Sequence, residues 1–435
     1  MKGPSLTLFL CAALLVLLLA PVSSAEPSIV LAPERSEDAQ LLGQPTPIAD
    51  PSNKALESFY AGLRRAEQKK GKARIVVWGA SHMAGDGFTK VVRHRLQAMF
   101  GDAGPGFVLP GPPWKDYNHR DLNLSYAKER WDGYWVSSKH KREDGLYGLA
   151  GASISSRDRR AWSEIETARK SLFGRLVSSA EVFYWKQKRG GDLWVSIDGG
   201  RKKKVRTRSR KAGPGYARFE VDDAPHVFRL SPRGNGRVHL FGVALERDVP
   251  GVVMDVMGIN GARMSAQLSW EEGLFAEHLK RRDPDLVVLA YGTNALGDKR
   301  DPIDAYESRI DRVIAKVRSI VPESSCLLIG PSDRPVKVKR EDGKEWPEDE
   351  PRQFYARARQ PELIAAQKRA AFRRGCAYWD MAAAMGGEMS MLRWSHSEPR
   401  LGARDYIHLT RAGYERLGNM FYRALMAGFR SAKAD

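Results

Sequence analysis

The chain has 435 residues, enough for two or three domains, and its 42% hydrophobic and 28% charged residues exclude a disordered or membrane-embedded protein. Its 71 Lys and Arg outnumber 52 Asp and Glu for a formal charge of +19, a balance that favours anionic surroundings. Three cysteines exclude a disulfide scaffold and a cysteine-built metal site.

The first 25 residues differ from the rest. Lys2 gives a positive start, Leu8 to Ala20 are wholly apolar, and Ser23-Ser24-Ala25 is a small-residue cleavage site. Residues 1–25 read as a secretory signal peptide, and the product as exported, periplasmic or bound to the cell envelope. The apolar run is short for a membrane span, and no later stretch is long enough, so no stable membrane insertion is expected after cleavage. Cys11 lacks the small residues that precede a lipidated cysteine. Removing Lys2 leaves about +18 (19 − 1). For an exported chain the matching partners are anionic cell-wall polymers, with no nucleic acid within reach.

Residues 26–52 read as an exposed lead-in rich in Pro, Ser and Asp. Asn53 to Lys69 carries Leu56, Phe59, Tyr60 and Leu63 at helical spacing. Ile75-Val76-Val77-Trp78 is then a short apolar run ended by Gly79, with Ser81 directly after it and a helical pattern from Phe88 to Phe100. Strand-like runs recur at Val252–Val256, Leu286–Tyr291, Cys326–Ile329 and Ala377–Asp380. Helical patterns at Ser265–Lys280, Ala305–Ile320 and Gln360–Arg373 lie between them, and another at Thr410–Ala427 closes the chain. Such alternation predicts an α/β/α layer with five parallel strands. Cys326 and Cys376 start two of these strands; a disulfide and two buried thiols both fit.

Between about Gly106 and Glu246 the alternation is lost, although Ala161–Leu172 reads as helical. Aromatic-rich runs at Val182–Trp185, Leu193–Ile197, Tyr216–Val221, Val227–Leu230 and Val238–Val243 are separated by glycine-rich turns. Short strands at this spacing predict a β-sandwich over 106–249, inserted into an α/β domain of 53–105 and 250–435. Its run Arg201–Lys211 is either a solvated hairpin edge protected by charge or an anchor for an anionic polymer.

Ser81, at a strand-to-helix turn, sits where open α/β sheets hold their ligands. As a nucleophile it needs a base and donors for an oxyanion. His408, three residues after Asp405 and just before the last helix, is the candidate base, with Asp405 to orient it. The candidate oxyanion donors are the backbone N–H groups of Ser81 and Gly261 and the side-chain amide of Asn294. Each follows the end of a predicted strand.

Gly79-Ala80-Ser81-His82, Gly258-Ile259-Asn260-Gly261, Gly292-Thr293-Asn294 and Asp405-Tyr406-Ile407-His408 resemble the four blocks of the SGNH (GDSL-type) hydrolases. The resemblance implies a flavodoxin-like three-layer fold and a Ser81–His408–Asp405 triad. It also implies an oxyanion hole of Ser81, Gly261 and Asn294, with neither metal nor cofactor. The 180 positions between Ser81 and Gly261 (261 − 81), with Phe241–Val243 and Ala384–Gly387, are similar to the peptidoglycan O-acetylesterase branch. That branch carries a jelly-roll-like β-sandwich, similar to a carbohydrate-binding module, at this place. The implied activity is removal of O-acetyl groups from a cell-envelope glycan. O-acetyl transfer, a lipase or lysophospholipase activity and a non-catalytic wall-binding role are the alternatives. Ala80 stands where the family usually has Asp, and Asp86 is a candidate substitute. His82 and His396 are candidate substrate contacts, and Lys337–Glu350, with Trp346, a loop at the rim.

Overall fold

A computed structural model describes residues 29–31, 37–111, 113–114, 117–138, 141–339 and 352–431. The predicted signal peptide lies outside the described residues, as do the first part of the lead-in and most of the Lys337–Glu350 run. No helix among the described residues is long and apolar enough to cross a membrane.

Five parallel strands form the central sheet: β1 (Lys72–Gly79), β2 (Gly251–Gly258), β3 (Leu286–Ala290), β4 (Ser325–Ile329) and β5 (Ala377–Trp379). Their order is β2-β1-β3-β4-β5, that of flavodoxin-like sheets. Among the described residues its longer helices cover it: α1 (Glu57–Glu67), α2 (Gly87–Phe100), α3 (Glu272–Arg282), α4 (Ile303–Ile320), α5 (Arg359–Arg373) and α6 (Arg411–Ser431). Alternate strand residues point to opposite faces. Ile75 and Val77 therefore join α1, α2 and α6 in one apolar core, while Val76 and Trp78 join α3, α4 and α5 in the other. The predicted α/β/α layering is observed.

The helix expected over Ser265–Lys280 is interrupted. A 3-10 turn at Met264–Ser269 ends at an extended Trp270, and α3 restarts where Glu271 caps the amides of Gly273 and Leu274. Cys326 and Cys376, on neighbouring strands, are bonded as a disulfide. Lead-in residues from 37 onward are tied to the body: Ala49 bridges Tyr378, and Trp379 donates to the Thr46 carbonyl.

Residues from Gly106 to Glu246 fold as two antiparallel sheets sharing an apolar core. One runs Lys203–Arg206, Asp192–Ile197, Val227–Pro232, Ser163–Thr167, Leu122–Tyr126. The other runs Gly213–Ala224, Val177–Lys186, Val238–Glu246, Ala152–Ser156, Asp132–Trp135, with Gly106–Val108 paired to Val238–Glu246. No helix forms over Ala161–Leu172. Ser163–Thr167 is instead a strand paired on both sides. Ser163, Ile165 and Thr167 are buried and Glu164 and Glu166 half-buried, a period of two that the flanking Ala161, Ala168 and Leu172 mask. The basic run lies at a sheet edge, where Lys203, Lys204 and Arg206 are exposed.

Strand Val238–Glu246 is buried along its whole length because both of its faces are covered. Leu240, Val243 and Leu245 face the sandwich core, whereas Phe241 and Ala244 join the α3 side of the central domain. Burial of a large apolar side chain such as Phe241 or Phe183 is worth about 1.5–3 kcal/mol. The insert is therefore packed firmly against the domain that carries the serine.

Candidate active site

Backbone geometry fixes Ser81. β1 and β2 pair in register up to Gly79 and Gly258, and the Ile259 N–H then donates to the Gly79 carbonyl at 3.0 Å. Ala80 turns the chain, and its carbonyl accepts the N–H groups of Met83 and Ala84, each at 3.0 Å, opening the helical turn Ser81–Ala84. That turn lies against Gly258, where a Cβ would run into the Ala84 nitrogen. The Ala80 methyl is buried in the same apolar cluster as Met257 and Ile259. At the position where the family has a carboxylate, this chain packs a methyl and holds the turn by backbone bonds.

His408 Nε2 lies 2.9 Å from Ser81 Oγ, and its Nδ1 lies 2.6 Å from Asp405 Oδ2. The other Asp405 oxygen accepts the N–H groups of Ile407 and His408, each at 3.0 Å. These bonds close a tight turn with Tyr406 at φ +57, steadied by its ring contacts with Phe354 and His396. Partial burial would raise the Asp405 pKa, but the bonds from the His408 ring and the two amides outweigh it and hold the carboxyl below its usual range. The carboxylate thus stays ionised and fixes which nitrogen of His408 faces the serine.

The donors lie on the neighbouring strand ends. Gly261 is three residues beyond β2, at φ +73, exposed and with open space where a Cβ would stand. Asn294 is four residues beyond β3 and donates one N–H to the Ala262 carbonyl at 3.1 Å, which joins the two loops and leaves its second N–H free for an oxyanion. Among the described residues, no acceptor takes the Ser81 or Gly261 amide. Ser81, Gly261 and Asn294 thus end three adjacent strands at one edge, where β1 and β3 flank the reversal of strand order. A hydroxyl with a base, an oriented imidazole and unfilled donors is the set that acyl transfer requires.

The other candidates fall outside this set. Asp86 is buried, accepts from Thr89 Oγ1, Arg93 and the Arg120 amide, and is committed to that network rather than to Ser81. His396 bonds the Tyr406 hydroxyl and supports the Asp405 turn from outside. His82 is buried between the Tyr414 hydroxyl at 3.1 Å and Ser332 Oγ at 3.0 Å. Burial first, and the nearby His408 second, push its pKa down to about 3 against the pull of Asp405, so its ring is neutral. Ser332 in turn lies 3.2 Å from Thr293 Oγ1, so the His82 ring links the serine turn to the Asn294 loop. Ser332 and Tyr414 carry no sequence signal for this role. Among the described residues, no cluster of three or more His, Cys, Asp or Glu side chains is placed to hold a metal ion.

Residues 224–416 match the family model of the GDSL-like lipase/acylhydrolases. That stretch is similar to the GDSL-like lipase/acylhydrolases over 193 of the 435 residues (416 − 224 + 1). The matched stretch contains Gly261, Asn294, Asp405 and His408, whereas Ser81 lies upstream of it, on the far side of the insert. No curated protein matches the sequence. Among solved structures, one described as "Peptidoglycan O-acetylesterase in action, 5 min" is similar at a TM-score of 0.70 and 22% identity, over 88% of this chain and 99% of its own. At that identity the likeness establishes the fold alone, a three-layer α/β/α domain with an inserted β-sandwich. An acetyl xylan esterase is similar at a TM-score of 0.28 and 17% identity, over 40% of this chain and 80% of its own.

Proposed function

We propose that this protein is a serine esterase that removes O-acetyl groups from a cell-envelope glycan, with peptidoglycan as the substrate. The observation that carries this reading is His408 Nε2 at 2.9 Å from Ser81 Oγ, with Asp405 at 2.6 Å from its other ring nitrogen. Ser81 Oγ attacks the acetyl carbonyl carbon as His408 takes the hydroxyl proton, and the negative charge develops on the carbonyl oxygen before the N–H groups of Ser81, Gly261 and Asn294. The tetrahedral adduct collapses, the sugar oxygen leaves with the proton from His408, and an acetyl-enzyme remains. Water, deprotonated by His408, attacks that ester and releases acetate and the free serine.

Export to the envelope, the glycan-binding role of residues 106–249 and the attraction of anionic wall polymers belong to the same proposal. They are supported by the amino-terminal sequence and the +19 charge. The test is acetate release from O-acetylated peptidoglycan by the native protein and by Ser81→Ala. Release by the native protein alone is expected; equal release by both removes Ser81 as the nucleophile. Strong preference for aryl esters longer than butyrate would move the substrate from acetylated glycans to lipids.

A further inference from the structure

A polar cavity of about 350 Å³ opens where the insert meets the helices beside Ser81. Lys90 of α2, Arg411 of α6 and Arg120, just before the insert strand Leu122–Tyr126, line it with Asn118 and Glu415. Three cations against one carboxylate leave an excess of two positive charges (3 − 1). We propose that this cavity is a subsite for a carboxylate-bearing arm of the substrate, which selects acidic over neutral O-acetylated glycans. The proposal rests on the esterase reading and adds where the chain holds the acidic arm of that glycan.

Three connections place the cavity next to the reacting groups. Arg120 Nε donates at 2.7 Å to the carbonyl of Gly85, the residue that closes the Ser81–Ala84 turn. Tyr414, in the cavity wall, bonds the ring of His82, the residue after Ser81. Arg411 follows His408 by three positions. An acyl group at Ser81 and an anion in the cavity can thus belong to one molecule.

The cations have capacity left for such a ligand. Arg120 is exposed and pairs with no acid among the described residues. Arg411 meets Glu415 only at 3.6 Å, with both side chains more than half exposed. Lys90 lies 3.7 Å from Asp121, whose oxygens already accept from Arg93 and His94. Guanidinium forks suit a planar carboxylate, and a charge-assisted bond is worth more than a neutral one. Arg120 and Tyr414 also support the serine turn, whereas the Lys90 and Arg411 side chains make no hydrogen bond or ion pair with Ser81, His408 or Asp405 and can serve a substrate anion.

The experiment is a ligand-observed NMR titration of the full chain as Ser81→Ala, with N-acetylmuramyl dipeptide as the acidic probe and N,N′-diacetylchitobiose as the neutral one. At low salt the acidic probe is expected to bind about tenfold more tightly, and 0.5 M salt to remove that advantage. The added double substitution Lys90→Ala and Arg411→Ala is expected to weaken the acidic probe about tenfold and to leave the neutral probe unchanged. Equal affinity for the two probes, or an unchanged affinity in the substituted protein, overturns the subsite. Aryl acetate hydrolysis by the native chain, run alongside, reports on the esterase reading alone; its absence would remove that reading while the titration still decides the subsite.

Discussion

At the carboxyl edge of the sheet, Asp405 and His408 keep 47% and 41% of their side chains exposed, whereas in the seam between sheet and insert Glu246, Asp255 and Arg282 keep 7%, 3% and 6%. Both regions are charged, but their hydrogen-bonding capacity is used differently. In the seam, Glu246 accepts from Lys72, Arg74 and Arg282, while Asp255 accepts from Arg282 and the Phe107 amide. At the edge, among the described residues, the Ser81 and Gly261 amides have no acceptor and Asn294 spends only one of its two N–H groups. Filled capacity holds structure; unfilled and oriented capacity is what a transition state can use. Loss of a seam charge should therefore cost stability, and loss of an edge group should cost rate.

The largest expected effect is at the edge. Asp405→Asn removes the acceptor that sets the His408 tautomer, and kcat on an aryl acetate should fall by about 10⁴-fold. The melting temperature should scarcely change, since Asp405 is exposed. A fall in kcat of less than tenfold would break the distinction between the regions. Next comes the seam: Arg282→Ala leaves two buried carboxylates short of a cation and should cost about 3–5 kcal/mol in urea unfolding. The kcat per folded molecule should stay unchanged, and a matching loss of kcat would show that the seam also shapes the site.

The smallest effect sharpens the comparison through pH. His278 of α3 is fully buried against Phe183, Tyr216 and Phe241, with no hydrogen-bond partner for either ring nitrogen among the described residues. Burial first, and the Arg281 charge second, push its pKa down to about 3. Between about pH 6.5 and 3 the unfolded chain holds a proton there that the folded chain does not. Stability thus rises with pH in that window and is lost as pH falls, by up to about 1.4 kcal/mol per unit from this ring. In thermal melts, His278→Phe should flatten the slope between pH 6.5 and 4; an unchanged slope would remove His278 as a source of acid sensitivity at the seam.

The edge was far more legible in sequence than the seam. Each strand of the central sheet is one apolar run, and each of Ser81, Gly261 and Asn294 follows its strand within a few residues, so local spacing carried their placement. The Asp405–His408 contact closes over three residues and was readable for the same reason. Lys72, Glu246 and Arg282 look like ordinary surface charges in sequence, because they meet only when distant segments pack. Strands Leu122–Tyr126 and Ala152–Ser156 do alternate apolar and polar residues, but over only five positions each, too short to stand out, and Ser163–Thr167 is obscured by alanine and leucine at helical spacing. The spacing of Cys326 and Cys376 could not choose between thiols and a bond; adjacency of β4 and β5 does.

The central claim is that Ser81 is the nucleophile, activated by His408. Its most direct test is peptide mass mapping after incubation of the native chain with a fluorophosphonate, which traps an activated serine. One adduct per chain, on Ser81 and absent from His408→Ala, is the predicted result. Labelling of a different residue, or hydrolysis of aryl acetate that survives without any adduct on Ser81, would contradict it.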